Sequence, residues 1–296
     1  LAQVIETGRP GNALLADGQV LLAGNDRLEC FMPLVGAERA VRDWMARDPI
    51  DPTRAMALLE LGIQCAVPAM IFEGIATTAS AIDASREEAM RSELVQRIIA
   101  GSTEVELPDA DMERMLASAI SIAVRPADRV TASLAQGAWQ LRRGRGSEAV
   151  ESWQRIPASP ELREAMLVTR DGELRASAAV LSRLEHLVLL AGQGGLNDRN
   201  REAESEWRRV PPVPTPGELI DFARTWVGSD SGVMAAQSAA RLLLESGRPR
   251  EALAVAVEAL RGRSRLIGVD QAARPLLALL VELGQEKGWL DAIGAE

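Results

Sequence analysis

The sequence predicts a mainly α fold: an α-α superhelix, or solenoid, of stacked helix pairs, opened by a short N-terminal β-hairpin segment. Three observations predict it. Residues 147–157 are echoed by residues 201–211, with Glu148-Ala149, Trp153 and Pro157 matched by Glu202-Ala203, Trp207 and Pro211. A weaker third match joins residues 247–253 to residues 144–150. Each stretch reads as a short turn, Glu-Ala and an amphipathic helix, and a recurring unit of this kind is the signature of a stacked helical array. From Val35 onward the apolar residues follow a helical period. Gly and Pro gather in short clusters between the periodic stretches, as punctuation between helices does.

Residues 13–31 are apolar runs cut by Asp17-Gly18 and Gly24-Asn25-Asp26, which are hairpin turn signals because Gly and Asn tolerate positive φ. Residues 8–12 form another turn. Residues 8–14 also resemble 247–253 and could open a helix, but Gly18 would break it after barely a turn, so strands are preferred. Ala37, Ala40, Val41, Trp44 and Met45 then follow helical spacing. Asp51 is the expected N-cap and Pro52 the first residue of the next helix. Helices are expected at 52–64, 68–82 and 86–100, a loop at 101–108, and helices at 109–124 and 126–141. The clearest repeat gives a helix over 147–156, broken at Pro157 to Pro160, followed by helices at 161–168 and 173–190. A loop at 192–197 and a helix at 199–209 lead to the Pro-rich stretch 211–216, a stiff linker that cannot be helix interior. Helices at 217–227, 231–246, 249–261, 268–283 and 285–293 complete the chain. The expected organisation is residues 1–33 as the β segment, 34–210 as irregular helical repeats and 217–296 as C-terminal helices of the same type.

The bulk composition bounds the function. At 296 residues the chain holds one large domain or two small ones, and 47% hydrophobic with 25% charged residues is a globular rather than a disordered balance. The net charge of −9 argues against a nucleic-acid partner, which would need a basic face. Lys287 is the only lysine and tyrosine is absent, a pattern that GC-rich coding explains. Cys30 and Cys65 are too few for a disulfide framework; a single bridge between them is one reading, and burial of both as small apolar residues is preferred. No signal peptide or transmembrane run is visible; the apolar stretch 66–82 is interrupted by Pro68, Glu73 and Gly74. The chain begins in apolar residues without Met and reads as a fragment of a longer protein, which leaves its compartment open.

Small and large residues recur on the helices in a fixed order. Gly137, Ala149 and Trp153, with Pro157 and Pro160 near the end, form one set; Leu58, Leu61, Gly62 and Gly74 form a second. Ala236, Ala239, Ala240, Leu243, Ala252 and Ala259 form a third, in which Ala256 stands where the large residue belongs. This pattern resembles the tetratricopeptide repeat over residues 50–290. Small residues let two helix backbones approach and the large one fills the groove beside them. The third set must then fill its groove from Val255 or Leu260. The array is irregular, since Trp153 and Trp207 are further apart than one 34-residue unit. Residues 17–31, from Asp17-Gly18 through an apolar strand to Arg27-Leu28 and Phe31, look like two strands of a quinoprotein-type β-propeller blade. That resemblance implies that residues 1–33 end a propeller; no quinone-contacting position is matched, so no cofactor is implied.

Each candidate for chemistry has a structural alternative. His186, the only histidine, stands beside Glu185 as a general base would, but it lacks a nucleophile and reads as a helix-surface residue. Asp109, Asp111 and Glu113 offer oxygens to a metal, yet acids after Pro108 also make a standard helix start. Asp198, Glu202, Glu204 and Glu206 read as a solvated face beside arginines. Gly192-Gln193-Gly194-Gly195 lacks the ending of a phosphate loop and follows a helix, not a strand. Arg142, Arg143 and Arg145 form the densest basic patch, suited to an acidic peptide tail or a phosphate, or to a helix C-terminus. Trp44, Trp139, Trp153, Trp207, Trp226 and Trp289 are core residues by default, Trp153 and Trp207 most of all. No catalytic, cofactor or metal residue is assigned. The expected function is that of a protein-interaction or scaffold region, not an enzyme, which docks a protein or peptide segment on the concave face. Gln136, Gln140, Arg183, Gln237 and Arg241 are the expected lining, with Arg142 and Arg143 as further contacts. The rival expectation is a helical appendage of a propeller with cofactor-binding, enzymatic or envelope-assembly function.

Overall fold

Three antiparallel strands open the computed structural model, which describes residues 12–16, 19–23, 28–169, 172–268 and 270–287. Strands β1 (Asn12–Ala16), β2 (Gln19–Ala23) and β3 (Leu28–Phe31) pair in the order β1-β2-β3, with Ala16 opposite Gln19 and Ala23 opposite Leu28. The segment is therefore a three-stranded meander where two strands were expected. The turn residues 8–11, 17–18 and 24–27 and the Cys30 side chain lie outside what is described. Cys65 is exposed, against expectation, because it caps the end of a helix instead of facing a neighbour.

The chain divides into two units, Leu1–Ile122 and Ala123–Glu296. In the first unit the strands are followed by α1 (Leu34–Ala46), α2 (Pro52–Gln64), α3 (Pro68–Ser85), α4 (Glu88–Glu104) and α5 (Asp109–Ile122). Asp51 caps α2 as expected, its carboxylate accepting from Thr53 N–H at 2.9 Å. Each helix touches the next, and α2–α4 and α3–α5 also touch, so these helices stack in sequence order. Leu58, Leu59 and Ile63 of α2 meet Met70, Ile71, Ile75 and Ile82 of α3, and Leu94, Val95, Ile98, Met115 and Leu116 extend the core through α4 and α5. The α2–α3 approach is close at two glycines. A Cβ on Gly62 would stand 2.7 Å from the backbone nitrogen of Ile71, and one on Gly74 would overlap that of Leu59. Helix α4 continues to Glu104 through residues expected to be loop, with the Ser102 and Thr103 hydroxyls donating back to the carbonyls of Ile99 and Ala100.

The second unit holds α6 (Pro126–Arg142), α7 (Gly146–Ala158), α8 (Pro160–Arg163), strands β4 (Met166–Thr169) and β5 (Gly172–Arg175), and α9 (Ala176–Ala191). A 3-10 turn (Gln193–Leu196) leads to α10 (Asn197–Trp207), α11 (Pro216–Thr225), α12 (Asp230–Glu245), α13 (Pro249–Leu266) and α14 (Arg274–Lys287). The helix expected over 161–168 is not formed. Only one turn, α8, precedes a hairpin in which Leu167 faces Leu174 and Thr169 faces Gly172. The sequence reason is the strand formers Leu167-Val168-Thr169, followed by Gly172, which opens β5 at φ 123°, a conformation that favours glycine. Pro157 does not break α7; it sits one residue before the helix ends at Ala158, so its ring stops the helix there and forgoes a single i→i−4 bond. The linker ends at a capping box, with Thr215 Oγ1 accepting from Glu218 N–H at 3.3 Å while the Glu218 carboxylate accepts from Thr215 N–H. Helix α14 runs through the break expected between 283 and 285.

Two helix pairs in this unit are alike. Both α6–α7 and α12–α13 are joined by a glycine at φ 75°, Gly144 and Gly247. In each the next N–H closes back on the first helix, Arg145 to the Gln140 carbonyl at 2.9 Å and Arg248 to the Leu243 carbonyl at 2.8 Å. Trp153 of α7 is fully buried and lies directly on Gly137 of α6, where a Cβ would overlap its Nε1. In the second pair Ala240 and Ala256, both buried, occupy the corresponding positions. Ala256 thus stands with alanine on the first helix where Trp153 stands with glycine. Val255 and Leu260 complete the same apolar cluster. Trp207 differs from Trp153. It ends α10, stays half-buried, and meets Phe222 edge-on at 5.3 Å between ring centres.

Candidate functional site

The second unit carries a groove of about 920 Å³ lined by α8, α9, α11, α13, the turn after α11 and one residue each of α7 and α14. Its floor is apolar: Val180 and Leu181 of α9, Ile220 and Ala223 of α11, and Leu253 and Val257 of α13. These residues share faces because of helical spacing. Residues 220, 223 and 224 make one stripe, and 250, 253, 254, 257, 258, 261, 264 and 265 make another. The side of α13 carrying Ala252 and Ala256 is spent on the core, and Val255 and Leu260 sit at its border, in the core cluster and in the groove lining alike. A helix apolar on both sides was the sequence signal for this groove, and reading it requires knowing which side the core takes.

Ion pairs set the groove walls. Arg224 of α11 forks onto Glu258 of α13, Nε at 3.2 Å and Nη2 at 3.1 Å. Arg265 of α13 donates to Glu185 at 2.5 Å and to Ser182 Oγ at 3.2 Å, both on α9. Arg163, only 5% exposed, donates to Asp221 at 2.7 Å. Arg263, on the core side of α13, donates to the Gly228 carbonyl at 2.7 Å and pairs with Asp230 and Asp270; that guanidinium holds the Asp270 carboxyl below its ordinary range. Arg250 and Arg261 stand exposed in the lining and form no ion pair with any described residue. Away from the groove lining, Arg199 is 2% exposed, and Glu202 is the acid whose charge bears on it. It donates to Gln154 Oε1 at 2.7 Å and to the Thr225 carbonyl at 3.4 Å and covers the Trp226 ring at 5.6 Å, while its Nη1 has no partner among the described residues. Desolvation pushes its pKa down to about 10, so it remains a cation at neutral pH.

None of the seven expected contact residues lines this groove. Gln140 is buried and accepts from Ser152 Oγ at 2.8 Å inside the α6–α7 pair, which removes it from any ligand surface. Gln136 is half-buried beside it on α6. Arg142 and Arg143 are exposed at the end of α6, Arg183 is exposed on α9, and Gln237 (half-buried) and Arg241 (exposed) lie on α12. The expectation placed the lining on the first helix of each pair, whereas α13, a second helix, supplies most of it. Arg145 stacks over Trp139 at 4.4 Å. His186 is exposed on α9, and Asp109 and Asp111 occupy the first turn of α5. Residues 193–196 form a turn between helices, with Gln193 Nε2 donating to the Ile267 carbonyl at 3.3 Å. Among the described residues no helix is long and apolar enough to cross a membrane. No protein-family model matches the chain, and no curated protein matches it.

Proposed function

We propose that this chain is a tetratricopeptide-like scaffold and that its second unit docks a polypeptide segment of a partner in the groove between α9, α11 and α13. The observation that carries the reading is the second apolar side of α13, with Leu253 and Val257 facing an open groove of about 920 Å³. Apolar floors with charged rims are how proteins hold an amphipathic segment. The Gly137–Trp153, Gly62–Ile71 and Gly74–Leu59 contacts support the repeat assignment, because they place small residues where two helices approach closely. The test uses peptides selected from a random display library on the whole chain. Ala254→Trp, a change at an exposed lining residue, should weaken the selected peptides at least about tenfold and leave the melting temperature unchanged. Peptides that bind the variant undiminished would place docking elsewhere.

A second reading is favoured by the meander. Three consecutive antiparallel strands are most of the four-stranded sheet of a propeller blade, so the helices could be the appendage of a quinoprotein-type propeller. An apolar sheet with open edges is an aggregation hazard. A chain beginning at Leu34 should then be more soluble than the full one, and amides of residues 13–31 should exchange quickly in the monomer. Strong protection with no gain in solubility would instead make the strands a cap of the helices.

A further inference from the structure

Resting on the docking reading above, the geometry points to the occupant's chemistry: we infer that the groove takes an acidic amphipathic helix of a partner protein. The lining contains five arginines against two glutamates, on a chain whose net charge is −9. Three of these arginines are already engaged, Arg163 with Asp221, Arg224 with Glu258 and Arg265 with Glu185. Arg250 and Arg261 are not engaged by any described residue. They stand on the groove side of α13 eleven positions apart, about 16 Å along the helix axis. Leu253, Ala254 and Val257 lie between them. The stripe is thus cation, apolar patch, cation.

The floor also selects the occupant's conformation. It is built from helix faces, whose backbone groups are already bonded within their own helices, so it offers an extended peptide no ladder. An extended segment would press unpaired N–H and C=O groups onto Leu181, Ile220, Leu253 and Val257. A helix satisfies its own backbone and presents only side chains. Its carboxylates then fall at i and i+11, with apolar residues one and two turns between them, in register with α13.

The test is fluorescence anisotropy of the full chain with three labelled 18-residue peptides of one apolar pattern. The first carries Glu at the flanking positions, the second Lys there, and the third is the Glu peptide with a central Pro. The Glu peptide should bind about tenfold or more tighter than the Lys peptide, and the Pro peptide should lose most of that affinity. Arg250→Glu with Arg261→Glu should invert the Glu–Lys preference without shifting the melting temperature, since both residues are exposed. Equal binding of the Glu and Lys peptides that Ala254→Trp abolishes would overturn the acidic preference and leave the docking reading standing. Undiminished binding of the Pro peptide would overturn the helix. If no peptide bound and phosphatidylglycerol vesicles did, the inference and the docking reading would both fall.

Discussion

Trp153→Ala should destabilise the second unit by about 3–5 kcal/mol, the range for removing a large aromatic from a packed core. The indole has no exposed surface and belongs to the cluster of Val130, Ile156, Val180, Leu184 and Leu187. Its Nε1 donates to the Leu134 carbonyl at 3.4 Å. The hole left behind would border Gly137, which has no side chain to move into it. Trp207→Ala should cost less, about 1–2 kcal/mol, because Trp207 is half-buried and sits at a helix end. Urea unfolding of both variants measures the difference. Equal losses would mean that the two echoed stretches are structurally equivalent after all.

Gly74→Ala should destabilise the first unit by about 1–3 kcal/mol even though alanine favours a helix by about 1 kcal/mol over glycine. The new methyl would meet the backbone of Leu59, which cannot rotate away, so α2 and α3 must separate along their whole contact. Gly101→Ala is the control. There the nearest atoms are side-chain ends, Ile63 Cδ1 at 2.5 Å and Met115 Cε at 3.0 Å, which yield by a rotamer change. Its melting temperature should therefore stay close to that of the parent. A Gly74→Ala protein as stable as the Gly101→Ala protein would refute the close approach.

The mainly α fold and most helix positions were legible because capping residues and apolar spacing are local properties of the sequence. Asp51-Pro52 and Thr215-Pro216-Gly217-Glu218 each dictate a helix start within four residues. Equivalence between repeats was less legible. The long echo of 147–157 in 201–211 matches side chains on two helices that begin differently, one after the Gly144 turn and one after a 3-10 turn. The shorter echo, 247–253, preserves the turn itself and marks the pair that is structurally alike. Backbone geometry at the turn orients a helix; residues on its surface do not. The groove was the least legible part, since Leu253 and Val257 differ from Ala252 and Ala256 only in which neighbour α13 turns toward.

The contact between α9 and α13 has a consequence for biosynthesis. The two helices meet through Arg265, Glu185 and Ser182, but α10, α11 and α12 are made between them. About sixty residues must be added after α9 is complete before α13 begins, which at ribosomal speed takes about 3–12 s. Helical hairpins close in far less time. Through that interval Val180 and Leu181 wait without the wall that will later face them, so the nascent chain passes through a stage that presents the floor of the groove before the groove exists. A chaperone that recognises short apolar stretches would meet this chain there, and the emergence of α13 would end the encounter.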